Sequence, residues 1–183
     1  MGLYEFFSRM FRVRKKEVKV LVVGLDNSGK TTILNMLKPK ECQNTNIVPT
    51  VGFSVEKIIA KPLEFTCFDM SGHNRYRSLW EHYYQDCDAI IFVVDSSDHL
   101  RLVVAQDEFE QLIENPAIKK RWVPLLIYAN KMDIPGSLLA SDVAQSLDLE
   151  KIRDKPWNIV ATNGLTGEGV REGVTWLCEK LVR

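Results

Sequence analysis

Apolar runs and helix-like stretches alternate along most of this chain. Val18–Leu25 (VKVLVVGL) is rich in β-branched residues, leads into a glycine-rich turn, and predicts a strand. Gly29–Leu37 then predicts a helix that stops ahead of Pro39. Gly52–Ala60 and Leu63–Asp69 predict two strands with only Lys61-Pro62 between them, the spacing of a hairpin and hence of an antiparallel pair. Ala89–Asp95 (AIIFVVD) and Val123–Ala129 (VPLLIYA) are continuous apolar runs, as strands buried on both faces require. A short last strand, Asn158–Ala161, follows Pro156-Trp157. Helical patterns fall near Asn74–Tyr84, Asp98–Glu114, Ser141–Ser146 and Glu168–Leu181. The order β-α-β-β-α-β-α-β-α-β-α builds an α/β three-layer sandwich. Its six-stranded sheet is mostly parallel, with one antiparallel edge strand and helices on both faces. Ligands of such sheets bind at the carboxyl ends of the strands.

The first residues follow a different pattern. Leu3, Phe6, Phe7, Met10 and Phe11 fall at i, i+3, i+4, i+7 and i+8, one face of an amphipathic helix, with Glu5, Ser8, Arg9 and Arg12 off it. Arg14, Lys15 and Lys16 follow. This divides the chain into a basic arm, residues 1–16, and a body, residues 17–183. Aromatic residues opposite basic ones suit an anionic membrane surface. The competing reading is a helix packed permanently on the body.

A length of 183 residues fits one body with one core. Formal charge balances at 24 basic and 24 acidic residues, but the arm holds five basic side chains against Glu5 alone. The body is therefore mildly acidic, which argues against a nucleic-acid partner. No stretch reaches the roughly 18–20 apolar residues of a membrane span. Cys42, Cys67, Cys87 and Cys178 form no CxxC pair and no metal-ligand spacing with histidine, as expected of reduced thiols in a cytoplasmic protein.

Two motifs carry the chemistry. Gly24-Leu25-Asp26-Asn27-Ser28-Gly29-Lys30-Thr31 fits GxxxxGK[ST] between a predicted strand and a predicted helix, the context a phosphate-binding loop needs. Its backbone N–H groups and the helix N-terminus, which includes Thr32, attract phosphate oxygens. Lys30 supplies a point charge to the outer phosphates. The Thr31 hydroxyl suits Mg²⁺. Asn130-Lys131-Met132-Asp133 fits NKxD at the end of an apolar strand. The Asp133 carboxylate can accept from both the ring N–H and the amino group of guanine, a donor pair adenine lacks, and the Lys131 stem can lie on the base. The expected ligands are GTP and GDP.

With these motifs in place, the chain resembles the Ras-like small GTPases of the P-loop NTPase class, and among them the Arf and Arf-like branch. GLDNSGKTT, PTVGF, DMSGHNRYRSLW, NKMD and VATNG match that branch in order. RYRSLWEHYY and KPWNIVATNGLTGEGV resemble most the Arf-like subgroup associated with Bardet–Biedl syndrome. The resemblance implies a switch that binds membranes with GTP, recruits an effector coat complex of the BBSome kind at the cilium or its base, and answers to an exchange factor and a GTPase-activating protein. It implies roles as well. Thr50 reaches Mg²⁺ and the γ-phosphate, Asp69 holds Mg²⁺ through water, and the Gly72 N–H meets the γ-phosphate. The Ala161 N–H, next to Thr162, meets the guanine oxygen. Phe53, Trp80 and Tyr83 match an effector-facing aromatic cluster, and core packing is the competing reading for each.

The chain departs from the family at His73, where DxxG is normally followed by the glutamine that orients the attacking water. Either His73 is a loop residue and hydrolysis is very slow, or its imidazole replaces the glutamine. The first alternative, taken to its limit, makes the chain a GTP-dependent binding module. Asp26 is expected to point away from the phosphates and bond to backbone.

Overall fold

The structure is a computed structural model that describes residues 16–182. The arm residues Leu3, Phe6, Phe7, Met10 and Phe11 lie outside the described residues. Six strands, β1 (Glu17–Val23), β2 (Phe53–Ala60), β3 (Leu63–Met70), β4 (Ala89–Asp95), β5 (Leu125–Asn130) and β6 (Trp157–Thr162), form one sheet in the order β2-β3-β1-β4-β5-β6. β2 runs antiparallel to β3 at the sheet edge, and every other pairing is parallel.

Alternation along the strands builds two cores. Leu21 and Val23 of β1, Ile90, Phe92 and Val94 of β4, and Leu125 and Ile127 of β5 face one way. They pack under α2 (Leu102–Glu114) and α4 (Ala140–Ser146) through Ala105, Phe109, Leu112 and Val143. The alternate residues Val20, Val22, Ile91, Val93, Leu126 and Tyr128 face the other way, against Ile33 and Leu34 of α1 (Lys30–Leu37) and Val174 and Leu177 of α5 (Val170–Leu181). Strands apolar at every position, such as Ala89–Val94, are buried on both faces for this reason. No helix among the described residues is long and apolar enough to cross a membrane.

Several boundaries shift for local reasons. The fifth strand begins at Leu125 rather than Val123, after Pro124, which lacks an N–H. The last helix begins at Val170, not Glu168. Gly169 precedes it at φ 73°, where a Cβ would stand 2.2 Å from the Ala161 carbonyl oxygen. The helix expected from Asp98 opens instead with a 3₁₀ turn, His99–Arg101, whose end is capped when the Asp98 carboxylate accepts from the Arg101 N–H. The segment Asn74–Tyr83 is 3₁₀ rather than α. A further short helix, α3 (Pro116–Lys119), was not expected, although Asn115 ahead of Pro116 is an N-cap signal. Cys67, Cys87 and Cys178 are buried and Cys42 is exposed, all as free thiols.

Candidate nucleotide-binding site

The carboxyl ends of β1, β3, β4, β5 and β6 converge on the loop Gly24–Gly29. Glycine is required at both of its ends. Gly24 has φ 137° and would set a Cβ 2.2 Å from the Val93 carbonyl oxygen; Gly29 has φ 97° and would set one 2.2 Å from Asn130 Nδ2. The loop thus lies against the β4 backbone at one end and against the Asn130 side chain, at the end of β5, at the other. Lys30, the first residue of α1, curls back over it, donating from Nζ to the carbonyl oxygens of Gly24 (3.0 Å) and Leu25 (2.8 Å). Burial pushes the Lys30 pKa down to about 8, opposed by the negative charges of Asp69 and Asp26. Its ammonium is therefore weakly hydrated, which raises its attraction for phosphate oxygen. Thr32 is half-buried on α1, and the buried Ser28 hydroxyl has no hydrogen-bond partner among the described residues.

Thr31, Thr50 and Asp69 meet although they lie on α1, a loop and β3. Thr31 Oγ1 donates to Asp69 Oδ2 at 2.6 Å and lies 3.0 Å from Thr50 Oγ1, which is itself 3.4 Å from Asp69 Oδ2. Asp69 is fully buried, and its Oδ1 has no partner among the described residues. Burial raises its pKa, with the Thr31 hydrogen bond and the Lys30 charge working against the shift. Two hydroxyls and a carboxylate with a spare buried oxygen form a hard, oxygen-only donor set that suits a small divalent cation.

Gly72 follows at the end of β3, pressed onto the phosphate loop. A Cβ there would fall 2.1 Å from the Leu25 carbonyl carbon and 2.2 Å from the Asp26 nitrogen, so only hydrogen fits. His73 is exposed and caps the 3₁₀ segment Asn74–Tyr83, its Nδ1 accepting from the Arg75 N–H at 3.4 Å. Asp26 corrects the expectation of a backbone partner. Its Oδ1 accepts from the Arg101 guanidinium at 3.1 Å and lies 3.9 Å from Arg77.

The NKxD residues divide their tasks. Asn130 is 2% exposed and spends its amide within the protein. It donates to the Ser28 carbonyl oxygen at 2.9 Å, while its Oδ1 accepts from the Gly164 N–H at 2.9 Å and the Thr162 hydroxyl at 3.3 Å. Lys131, at φ 64°, pairs with Asp95 at 2.7 Å. Burial pushes the Asp95 carboxyl up, but hydrogen bonds from Lys131 and Ser97 leave its pKa below the ordinary value. The loop is held by Met132 N–H to the Thr162 carbonyl (3.2 Å) and Ile134 N–H to the Lys131 carbonyl (3.1 Å). Asp133 is exposed and has neither hydrogen bond nor ion pair among the described residues, which leaves both carboxylate oxygens available. Ala161 is exposed at the end of β6, paired with Ala129.

Sequence reasoning missed Asp95, Arg77, Arg101 and the Gly164 N–H. Asp95 left a signal, as an acid ending an apolar strand; the others meet the site from distant positions. It also misplaced Trp80 among exposed aromatics. Trp80 is 1% exposed, packs in the core, and donates from its indole N–H to the Ser71 carbonyl oxygen at 3.0 Å. Phe53, 45% exposed, instead stacks with Tyr83 at 5.4 Å between centroids, and Tyr83 with Phe68 at 5.0 Å.

The profile of the ADP-ribosylation factor family matches residues 3–181. The chain is 55% identical over 181 residues to ADP-ribosylation factor-like protein 6 of Danio rerio, covering 99% of this chain and 97% of that protein. It is 44% identical over 183 residues to ADP-ribosylation factor-like protein 6 of Caenorhabditis elegans, covering 100% and 96%. Among solved structures, the small GTPase Arl6 of Trypanosoma brucei with the bound nucleotide analogue GppNp matches with a TM-score of 0.85 and 45% identity, over 92% of this chain and 99% of that one. Matched by the family profile over nearly its whole length and by full-length relatives, the chain belongs to the ADP-ribosylation factor family of small GTPases, enzymes that hydrolyse GTP.

Proposed function

We propose that this GTPase is a membrane-recruited switch that hydrolyses GTP very slowly. One observation carries the reading: Thr31, Thr50 and Asp69 sit within hydrogen-bond reach of one another although they come from three separate segments. The Thr31 and Thr50 hydroxyls would hold Mg²⁺ directly and Asp69 through water. When bound, the ion supplies positive charge to the β- and γ-phosphate oxygens. Thr50 and Gly72 are carried by segments that the third phosphate would hold and its loss release, which is how one bond cleavage becomes a change of surface. Lys30 neutralises the outer phosphates, and Asp133 takes the guanine ring N–H and amino group, with Ala161 N–H at the base oxygen. The exposed Phe53, shortly after Thr50 in the chain, and the half-buried Tyr83, in ring contact with it, would present the surface that effectors read.

Slow hydrolysis follows from His73. Its Nδ1 is engaged by the Arg75 N–H, so the neutral ring offers only an Nε2–H donor. A glutamine would offer an acceptor for the attacking water as well as a donor. His73→Gln is expected to raise the single-turnover rate with an activating protein by roughly tenfold or more, general-base positioning being worth about 10²–10⁴. GTP affinity should not change. A lower rate in the variant would show that the imidazole itself orients the water.

The arm, residues 1–16, completes the reading for the body, residues 17–183. Its apolar face would insert among lipids, and each basic residue adds about 1 kcal/mol near anionic headgroups. By its resemblance to the Arf-like subgroup associated with Bardet–Biedl syndrome, the expected setting is the cytoplasmic face of membranes at the cilium or its base. The expected partners there are a BBSome-like coat, an exchange factor and an activating protein. Co-sedimentation with phosphatidylserine liposomes should require a non-hydrolysable GTP analogue, weaken as salt rises, and fall at least about tenfold in Phe7→Glu. Equal binding with GDP would mean a permanently attached GTPase.

A further inference from the structure

Gly72 is flanked by two peptide groups, and a side chain holds each of them. The Ser71–Gly72 peptide is fixed by the Trp80 indole N–H, which donates to the Ser71 carbonyl oxygen at 3.0 Å. The Gly72–His73 peptide is fixed by Arg77, whose Nε donates to the Gly72 carbonyl oxygen at 2.8 Å. A peptide group is planar, so securing its carbonyl also sets the direction of its N–H. The Gly72 N–H therefore points opposite to the Ser71 carbonyl oxygen, which receives the bond from Trp80.

Arg77 and Trp80 stand three residues apart in the 3₁₀ segment Asn74–Tyr83, and in a 3₁₀ helix residues i and i+3 lie over one another. An α-helical segment would offset them. Both holding groups are themselves anchored. Arg77 pairs with Glu108 of α2 at 2.8 Å, with side chains only 14% and 18% exposed. Trp80 is locked into the core against α2 and β4.

We propose that Arg77 and Trp80 are positioning residues that clamp the two peptides of Gly72 and thereby set the preference for guanosine triphosphate over diphosphate. The idea rests on the reading that the Gly72 N–H meets the third phosphate. The clamp has no reason to act on a diphosphate, which does not extend to Gly72. Its loss should therefore change a ratio of affinities and leave the weaker ligand alone, which general damage to the fold would not do.

The test uses the full chain and fluorescent derivatives of GDP and of a non-hydrolysable GTP analogue, each titrated in Mg²⁺. Trp80→Phe removes the indole donor but keeps a buried aromatic ring, and Arg77→Ala removes the guanidinium. Each is expected to lower the triphosphate-to-diphosphate preference about tenfold, or roughly 1.4 kcal/mol, with GDP affinity kept. Glu108→Gln, whose amide oxygen still accepts from Arg77, should lower it about threefold. An unchanged preference in both Trp80→Phe and Arg77→Ala, or an equal loss of both nucleotides, overturns the clamp. Should the unmodified protein itself not distinguish the two nucleotides, the placement of Gly72 at the third phosphate falls, and the clamp with it.

Discussion

Asp133→Asn is expected to cost this GTPase about 10³-fold in affinity for GTP while improving its affinity for xanthosine triphosphate. The size follows from what the loop leaves available. Asn130 spends its amide on Ser28, Thr162 and Gly164, and Lys131 pairs with Asp95. Asp133 is the one member of the motif whose charged group is unengaged among the described residues. On the proposed reading, discrimination of the base would concentrate in this one carboxylate, which can accept two hydrogen bonds. Replacing one oxygen with an amide NH₂ sets donor against donor at the guanine amino group. Two hydrogen bonds to a charged group are weakened or lost, each worth roughly 1.5–3 kcal/mol, and 10³-fold corresponds to about 4 kcal/mol. Xanthine has a carbonyl where guanine has the amino group, so the same amide becomes complementary. Competition binding with the two triphosphates measures the effect. Retained GTP preference in the variant would place base recognition elsewhere.

Thr31→Asn should separate the two guanine nucleotides. The Thr31 hydroxyl lies 2.6 Å from a buried carboxylate oxygen and 3.0 Å from a second hydroxyl. Asparagine is longer and replaces this hydroxyl with an amide. The hydroxyl that would hold the ion is lost, and Thr50 loses its neighbour. The third phosphate would depend most on a bound ion, which would supply positive charge against its added negative charge. Affinity for a GTP analogue is expected to fall about 10²-fold in Mg²⁺, and affinity for GDP by less than about tenfold. Chelating Mg²⁺ from the unmodified protein should reproduce the same order of losses. Equal losses for both nucleotides in the variant would point to damaged packing around α1 instead of a lost ligand.

Much of the fold was legible because burial writes itself into strands. Ala89–Asp95 matches its predicted span to the residue, since a strand covered on both faces must be apolar throughout and stop where it meets solvent. The hairpin of β2 and β3 was equally readable, because two residues between strands allow no crossover. The 3₁₀ winding of Asn74–Tyr83 was not. Its apolar spacing fits an α-helix as well, and the contacts of Arg77 and Trp80 with the two carbonyls ahead of it are tertiary. The site divides in the same way. The phosphate loop and the NKxD loop are local motifs with their chemistry in consecutive residues. The ion pairs of Asp26 with Arg101, of Arg77 with Glu108 and of Lys131 with Asp95 join residues 75, 31 and 36 positions apart, and nothing in the local sequence announces those partners. Trp80 shows the opposite error. An aromatic residue beside a recognition surface reads as part of it, whereas here it lies underneath.

The amide of Asn130 has a kinetic consequence. It joins the wall formed by the Gly24–Gly29 loop, through Ser28, to the wall formed at the end of β6, through Gly164 and Thr162, in a place nearly closed to water. Hydrogen bonds so shielded do not exchange readily with solvent, so neither wall can swing outward without drawing the other along or breaking the link. On the proposed placement, the two ends of a bound nucleotide would be held by one mechanical unit and their escape would be correlated: grip lost at the phosphates would be transmitted to the base. Long residence and rapid assisted ejection become compatible in a single pocket, because a partner that deforms only one rim acts on the whole ligand.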